Sequence, residues 1–135
     1  MISEADFRSY VAAFNRSDFD GFSRFYAPDV EFIGRPGSRT GREEVVSLYR
    51  DIRTRVNEKV TIHALVSGEH SIVADMETEL YALVDWPELK SGALQKGETR
   101  RSQNFIWYEL AATDKPAPSQ WDRAGKGSRI RRQGR

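Results

Sequence analysis

The sequence predicts an α+β fold: three N-terminal helices packed on an antiparallel sheet drawn from the second half of the chain. Three observations carry this. Apolar residues recur at three- and four-residue spacing through roughly the first 56 positions. From Lys59 the period drops to two. The stretch Tyr10 to Phe32 holds seven of the fifteen aromatic residues, a density of rings that needs a common core or a cavity to bury it. Helices first and strands afterwards, rather than alternating, is the α+β signature.

The elements follow in order. Ser3 is a good N-cap, and Asp6 stands where a capping-box acid would. Phe7, Tyr10, Val11 and Phe14 then mark one face of a first helix. Ser17 or Asp18 caps a second helix with Phe19, Phe22, Phe25 and Tyr26 on one face, and Pro28 is expected to stop it. Val30 to Ile33 reads as a short strand, and Gly34 to Gly41 as a loop. Thr40 and Glu43 suggest a second capping box before a third helix carrying Val45, Leu48, Tyr49, Ile52 and Val56. Strands are expected from Lys59 to Ser67, from Ile72 to Trp86 and from Arg100 to Leu110, with a long hairpin loop over 85–97. Phe105 to Tyr108 are all apolar or aromatic, as in a central strand covered on both faces. Beyond Leu110 the pattern fails: residues 1–112 read as the folded domain, and 113–135 as a Pro/Ala linker and basic tail with at most a weak or altered last strand.

Composition narrows the function classes. A chain of 135 residues suggests one domain, with a core large enough to need no staples. There is no cysteine, hence no disulfide, thiolate metal site or cysteine nucleophile. Two histidines, His63 and His70, show no metal-ligand spacing. No apolar run approaches the roughly 20 residues of a membrane span, and the first residues do not resemble a signal peptide, so a cytoplasmic location is expected. Residues 1–114 hold 14 Lys/Arg against 19 Asp/Glu, whereas 115–135 hold 7 against one. The basic tail lacks an aromatic platform or reading motif, so nucleic-acid binding is not expected.

The order of elements, with YVAAFNRSDFDGFSRFYAPDVEF and GREEVVSLYRDI at its heart, resembles the nuclear transport factor 2-like superfamily over residues 3–110. That group includes SnoaL-type polyketide cyclases, ketosteroid isomerase, limonene epoxide hydrolase and scytalone dehydratase. The resemblance implies a cone-like curved antiparallel sheet closed by the three helices, an apolar pocket for a small ligand, and a homodimer packed sheet to sheet. It also implies acid–base chemistry on a small, apolar, oxygenated molecule without metal or organic cofactor; the alternative is a non-catalytic ligand-binding or dimerisation domain.

Each member's machinery can be tested against these residues. Tyr10 matches the isomerase's oxyanion-hole tyrosine, but its base falls on Gly34 and its second acid near Gln103, so that reaction is not expected. The epoxide hydrolase needs an Arg-x-Asp pair on the long strand, where this chain has Asp75-Met76-Glu77-Thr78-Glu79 without arginine. The dehydratase needs two cavity histidines, and His70 falls in a turn. A SnoaL-type cyclase asks only for one well-placed acid and a shaped pocket.

The acid/base candidates are Asp75, Glu77 and Glu79, which share one strand face with Tyr81. Neighbours in that row stand roughly 6.5–7 Å apart. In a closed cavity, repulsion and desolvation would raise at least one pKa toward neutrality. Alternation alone puts the row outward, against water, Arg100 or Arg101, because Ile72, Ala74, Met76 and Leu80 take the other face. Alignment to the isomerase puts it inward. Tyr10, Tyr49 and Tyr81 are hydrogen-bond donor candidates, and Phe14, Tyr26, Asn104 and Trp107 candidate pocket residues. Asn104 and Trp107 lie on opposite faces, so one of them points into the cone.

Overall fold

The computed structural model describes residues 2–34, 37–111 and 120–129. Three helices, α1 (Glu4–Asn15), α2 (Phe19–Ser23) and α3 (Arg42–Arg53), pack on a curved, unclosed sheet of six strands. The strands are β1 (Tyr26–Gly34), β2 (Gly37–Thr40), β3 (Val56–Ser67), β4 (Ser71–Ala82), β5 (Thr99–Leu110) and β6 (Trp121–Arg129). Their order across the sheet is β2-β1-β6-β5-β4-β3. All neighbours are antiparallel except β1 and β6.

The first helix starts as its capping residues dictate. Ser3 Oγ accepts from Asp6 N–H at 3.1 Å, and the Ser3 N–H donates to the Asp6 carboxylate at 3.0 Å. These bonds hold the Asp6 carboxyl below its usual pKa. At the other end, the Asn15 amide clasps β3, accepting from Val60 N–H at 2.7 Å and donating to Val60 C=O at 2.9 Å. The C-terminal end of α1 is thereby tied to β3.

Several elements differ from expectation. The second helix ends at Ser23, so Tyr26 opens β1 instead of closing a helix, and Pro28 lies within the strand. The β1–β6 register slips between Tyr26 and Glu31, and this irregularity accommodates a residue that cannot donate to a ladder. The expected loop 34–41 contains β2, which pairs back on β1. No side chain caps α3; its N-cap is Gly41 at φ +100°, a backbone that suits glycine. Arg42 anchors the helix instead, donating twice to the Tyr26 carbonyl at 2.7 and 2.9 Å. Val56 belongs to β3, not to α3, and β4 ends at Ala82.

The largest surprise is β6. Trp121 is fully buried, and the strand fills the gap between β1 and β5. Of the proposed linker and tail, residues 113–119 and 130–135 lie outside the described residues, as does residue 112. The interior near β6 is solid with rings. Trp121 lies 4.6 Å from Tyr10, 4.5 Å from Tyr108 and 5.7 Å from Phe7, centroid to centroid. Among the described residues, no helix is long and apolar enough to cross a membrane.

Candidate functional site

On the concave face the alternation of each strand decides what points inward. β4 buries Ile72, Ala74, Met76 and Thr78. β5 buries Asn104 and Tyr108, with Ser102 and Ile106 between solvent and core. β3 turns Val56, Glu58 and Val60 inward, and Glu58 is only 8% exposed. A carboxylate in an otherwise apolar inward row is costly to bury, and its position therefore calls for explanation.

The register explains how Glu58 meets its neighbours. Leu80 lies opposite Glu58, Thr78 opposite both Val60 and Ser102, and Asn104 opposite Met76. Glu58, Thr78 and Asn104 thus run diagonally across three strands. The Asn104 amide donates to Thr78 Oγ1, closing one step of that diagonal.

Above this polar stripe lies a hollow that is partly open to solvent. A space of about 270 Å³ is bounded by the sheet, by Leu48, Tyr49 and Ile52 of α3, and by Trp86 and Leu89 of the β4–β5 loop. A recess of about 30 Å³ continues toward Tyr10, Phe14 and Tyr108. Tyr49, Glu58 and Thr78 border both spaces. Glu58 also borders an open groove on the surface between α1 and β3, together with Glu79 and Tyr81.

Electrostatics at this junction favour a neutral phenol beside a carboxylate. Burial pushes the Tyr49 hydroxyl well above the usual phenol range, and the charge of Glu58 pushes the same way. Tyr49 therefore stays a proton donor at neutral pH. Burial lowers the Arg53 guanidinium, while Glu58 acts to keep it charged. Arg53 is held by the Phe14 carbonyl at 2.7 Å and Ser17 Oγ at 2.5 Å.

The residues expected from sequence divide between the two faces. Tyr10, Phe14, Tyr49 and Asn104 border the hollow or its recess. Tyr26 is buried behind them, its hydroxyl 2.6 Å from that of Tyr10, which lies 3.5 Å from that of Tyr108. Burial raises all three phenols, and for Tyr10 the neighbouring tyrosines add to it. Asp75, Glu77, Glu79, Tyr81 and Trp107 instead occupy the convex face, and none of them borders the hollow. The reason is phase: the apolar residues of β4 take the inside. Asp75 accepts from Gln103 at 2.8 Å, and Glu79 pairs with Arg101 at 2.8–2.9 Å. Arg100 is on the inner face, where it bonds the β4–β5 loop. Phe105 and Trp107, expected to be covered, are 40% and 56% exposed.

Glu58 was not among the sequence candidates. Its signal was there, a single acid interrupting the row Val56, Val60, Ile62, but it is visible only if β3 begins at Val56. Among the described residues, no group of three or more His, Cys, Asp or Glu is placed to hold a metal ion.

Comparison with known proteins bears on this arrangement. The model of the SnoaL-like domain matches residues 7–110. The chain belongs to the SnoaL-like domain family. A search of curated proteins finds no significant match. Among solved structures, this SnoaL-like domain is similar to a SnoaL-like polyketide cyclase from Agrobacterium tumefaciens, at 16% identity and TM-score 0.72, covering 96% of this chain and 93% of that one. It is also similar to an LEH-like epoxide hydrolase from Mycobacterium tuberculosis, at 12% identity and TM-score 0.69, covering 91% and 79%. A third is a protein of ketosteroid isomerase-like fold from Catenulispora acidiphila, in complex with trimethylamine, at 10% identity and TM-score 0.70, covering 90% and 82%. At such identities the likeness shows the fold of this SnoaL-like domain, and one fold hosts many chemistries.

Proposed function

We propose that this SnoaL-like domain is an acid–base enzyme that takes a small, largely apolar, oxygenated molecule into its hollow. Glu58 moves the proton, while Tyr49 and Asn104 hold oxygen atoms of the substrate. The reaction class is isomerisation, dehydration, cyclisation or ring-opening hydrolysis. The observation that carries this reading is Glu58, among the described residues the one buried carboxylate on a space also lined by the apolar Leu48, Ile52, Leu80, Trp86 and Leu89; the other lining carboxylates, Asp51 and Glu88, are exposed. A carboxylate out of water beside a neutral phenol is equipped to take a proton at one atom while a donor stabilises charge at another. The presence of a polyketide cyclase and an epoxide hydrolase among proteins of the same fold supports the class, not a substrate.

Glu58→Gln keeps the shape and removes the base. Turnover, assayed on a panel of ketones, epoxides and hydroxylated rings, should fall by about 10²–10⁴-fold with little change in thermal stability. Loss of activity on Glu77→Gln with Glu58→Gln still active would move the site to the outer face.

The convex face supports a second, compatible proposal, a homodimer packed sheet to sheet. Tyr81, Phe105 and Trp107 are exposed there at 44%, 40% and 56%, beside the Glu79–Arg101 pair. Sedimentation velocity should show a dimer that Trp107→Asp dissociates; a wild-type monomer at tens of micromolar excludes it.

A further inference from the structure

The hollow has a floor, a wall and a ceiling, and the ceiling is fastened. It consists of Trp86 and Leu89, carried by the loop between β4 and β5. That loop is not a slack connection. Trp86 and Leu94 exchange backbone hydrogen bonds at 2.7 and 3.0 Å, and the Leu94 side chain is buried at 1% exposure. Arg55 lies over the Trp86 ring at 5.2 Å. The main fastening comes from the floor itself. Arg100 of β5 reaches up and donates to the carbonyls of Gly92 at 2.6 Å and Ala93 at 2.9 Å, and to Ser91 Oγ at 3.3 Å. Gly92 adopts φ +117°, and a Cβ there would lie 3.4 Å from the guanidinium. Loop and arginine are therefore fitted to each other.

A ceiling held from below fixes the height of the space, and so the size of what enters. A cavity of about 150 Å³ holds one benzene ring, so about 270 Å³ holds roughly ten to twelve non-hydrogen atoms. The polar diagonal gives a matching length. Glu58 and Asn104 are separated by two diagonal steps, roughly 14–16 Å between backbones and somewhat less between Cβ atoms, and both side chains border the space. The remaining span suits two fused rings with an oxygen at each end.

We propose that the site accepts oxygenated molecules of one or two fused rings, and that Arg100, by pinning the loop over 83–98, sets this limit. The inference rests on the reading that the hollow is the ligand site, and it adds the substrate's size and the residue that determines it. Larger ring systems require the loop to lift, which breaks the bonds from Arg100.

Two fluorescent phenols that differ in ring count, naphthol and hydroxypyrene, test it by equilibrium titration of the full chain. The wild type should bind naphthol at least about tenfold more tightly, although hydroxypyrene has more apolar surface to bury. Arg100→Met, with circular dichroism matching the wild type, should narrow or reverse that preference. Leu89→Ala thins the same ceiling without touching the arginine, and should narrow it too, which keeps the test decisive if Arg100→Met does not fold. Equal or tighter binding of hydroxypyrene by the wild type would overturn the size limit and leave the ligand site standing. An unchanged preference in both variants would overturn the role of the pinned loop. Failure of both phenols to bind would overturn the ligand site and this inference together.

Discussion

The two ends of the interior are built from similar material to opposite effect. At the β6 end, Phe7, Tyr10, Tyr26, Tyr108 and Trp121 meet ring to ring with centroids 4.5–5.9 Å apart, and they fill the space. At the β3 end two rings, Tyr49 of α3 and Trp86 of the β4–β5 loop, border the space, and the strands facing them offer Thr78, Ser102 and Asn104. Short polar side chains on a concave sheet cannot span to α3, so a space remains. On the proposed reading the ends have different duties: the packed end holds the fold, and the hollow end takes the ligand.

The largest expected effect comes from breaking the packed end. Trp121→Ala removes the ring around which the others gather, and should cost about 3–5 kcal/mol, read as a lowered midpoint in urea. A loss below about 1 kcal/mol would mean that β6 is peripheral to stability.

A second test uses proton chemistry to compare the ends. Burial raises the pKa of Tyr10, Tyr26, Tyr49 and Tyr108, so the folded state keeps these protons after the unfolded chain begins to release them near pH 10. Their contribution is intact below that pH and lost above it. Stability should fall with rising pH from about 10, by up to about 1.4 kcal/mol per pH unit for each such tyrosine. Phenolate absorbance should then appear together with unfolding. Release from Tyr49 ahead of unfolding, while Tyr10 and Tyr108 stay protonated, would show that the hollow end is wetter than the packed one; gradual release by all four before unfolding would contradict their burial.

The same contrast governs what could be read before folding. The helices around Phe7 and Leu48 were legible because their apolar spacing and the Ser3–Asp6 pair are local signals. The alternation of β4 was equally legible, and its apolar row does pack inward, leaving Asp75, Glu77 and Glu79 outside. The alignment that turned them inward misled because it carried over a position without the phase of this strand. β6 was illegible for a different reason. Trp121 is followed by glycines and basic residues, and the segment becomes a strand only because β1 and β5 pair with it from both sides. Glu58 was missed because the boundary between α3 and β3 falls three residues earlier than the period change suggests. A site residue at an element boundary is where local patterns are weakest.

The hollow end is the place proposed for the ligand. Ser102→Trp tests it most directly, since Ser102 lines the hollow and an indole in place of its hydroxyl takes up that space. The variant should keep its circular dichroism spectrum and lose naphthol binding by at least about tenfold, a difference of about 1.4 kcal/mol. A folded Ser102→Trp protein that binds naphthol as tightly as the wild type would place the ligand elsewhere and contradict the account.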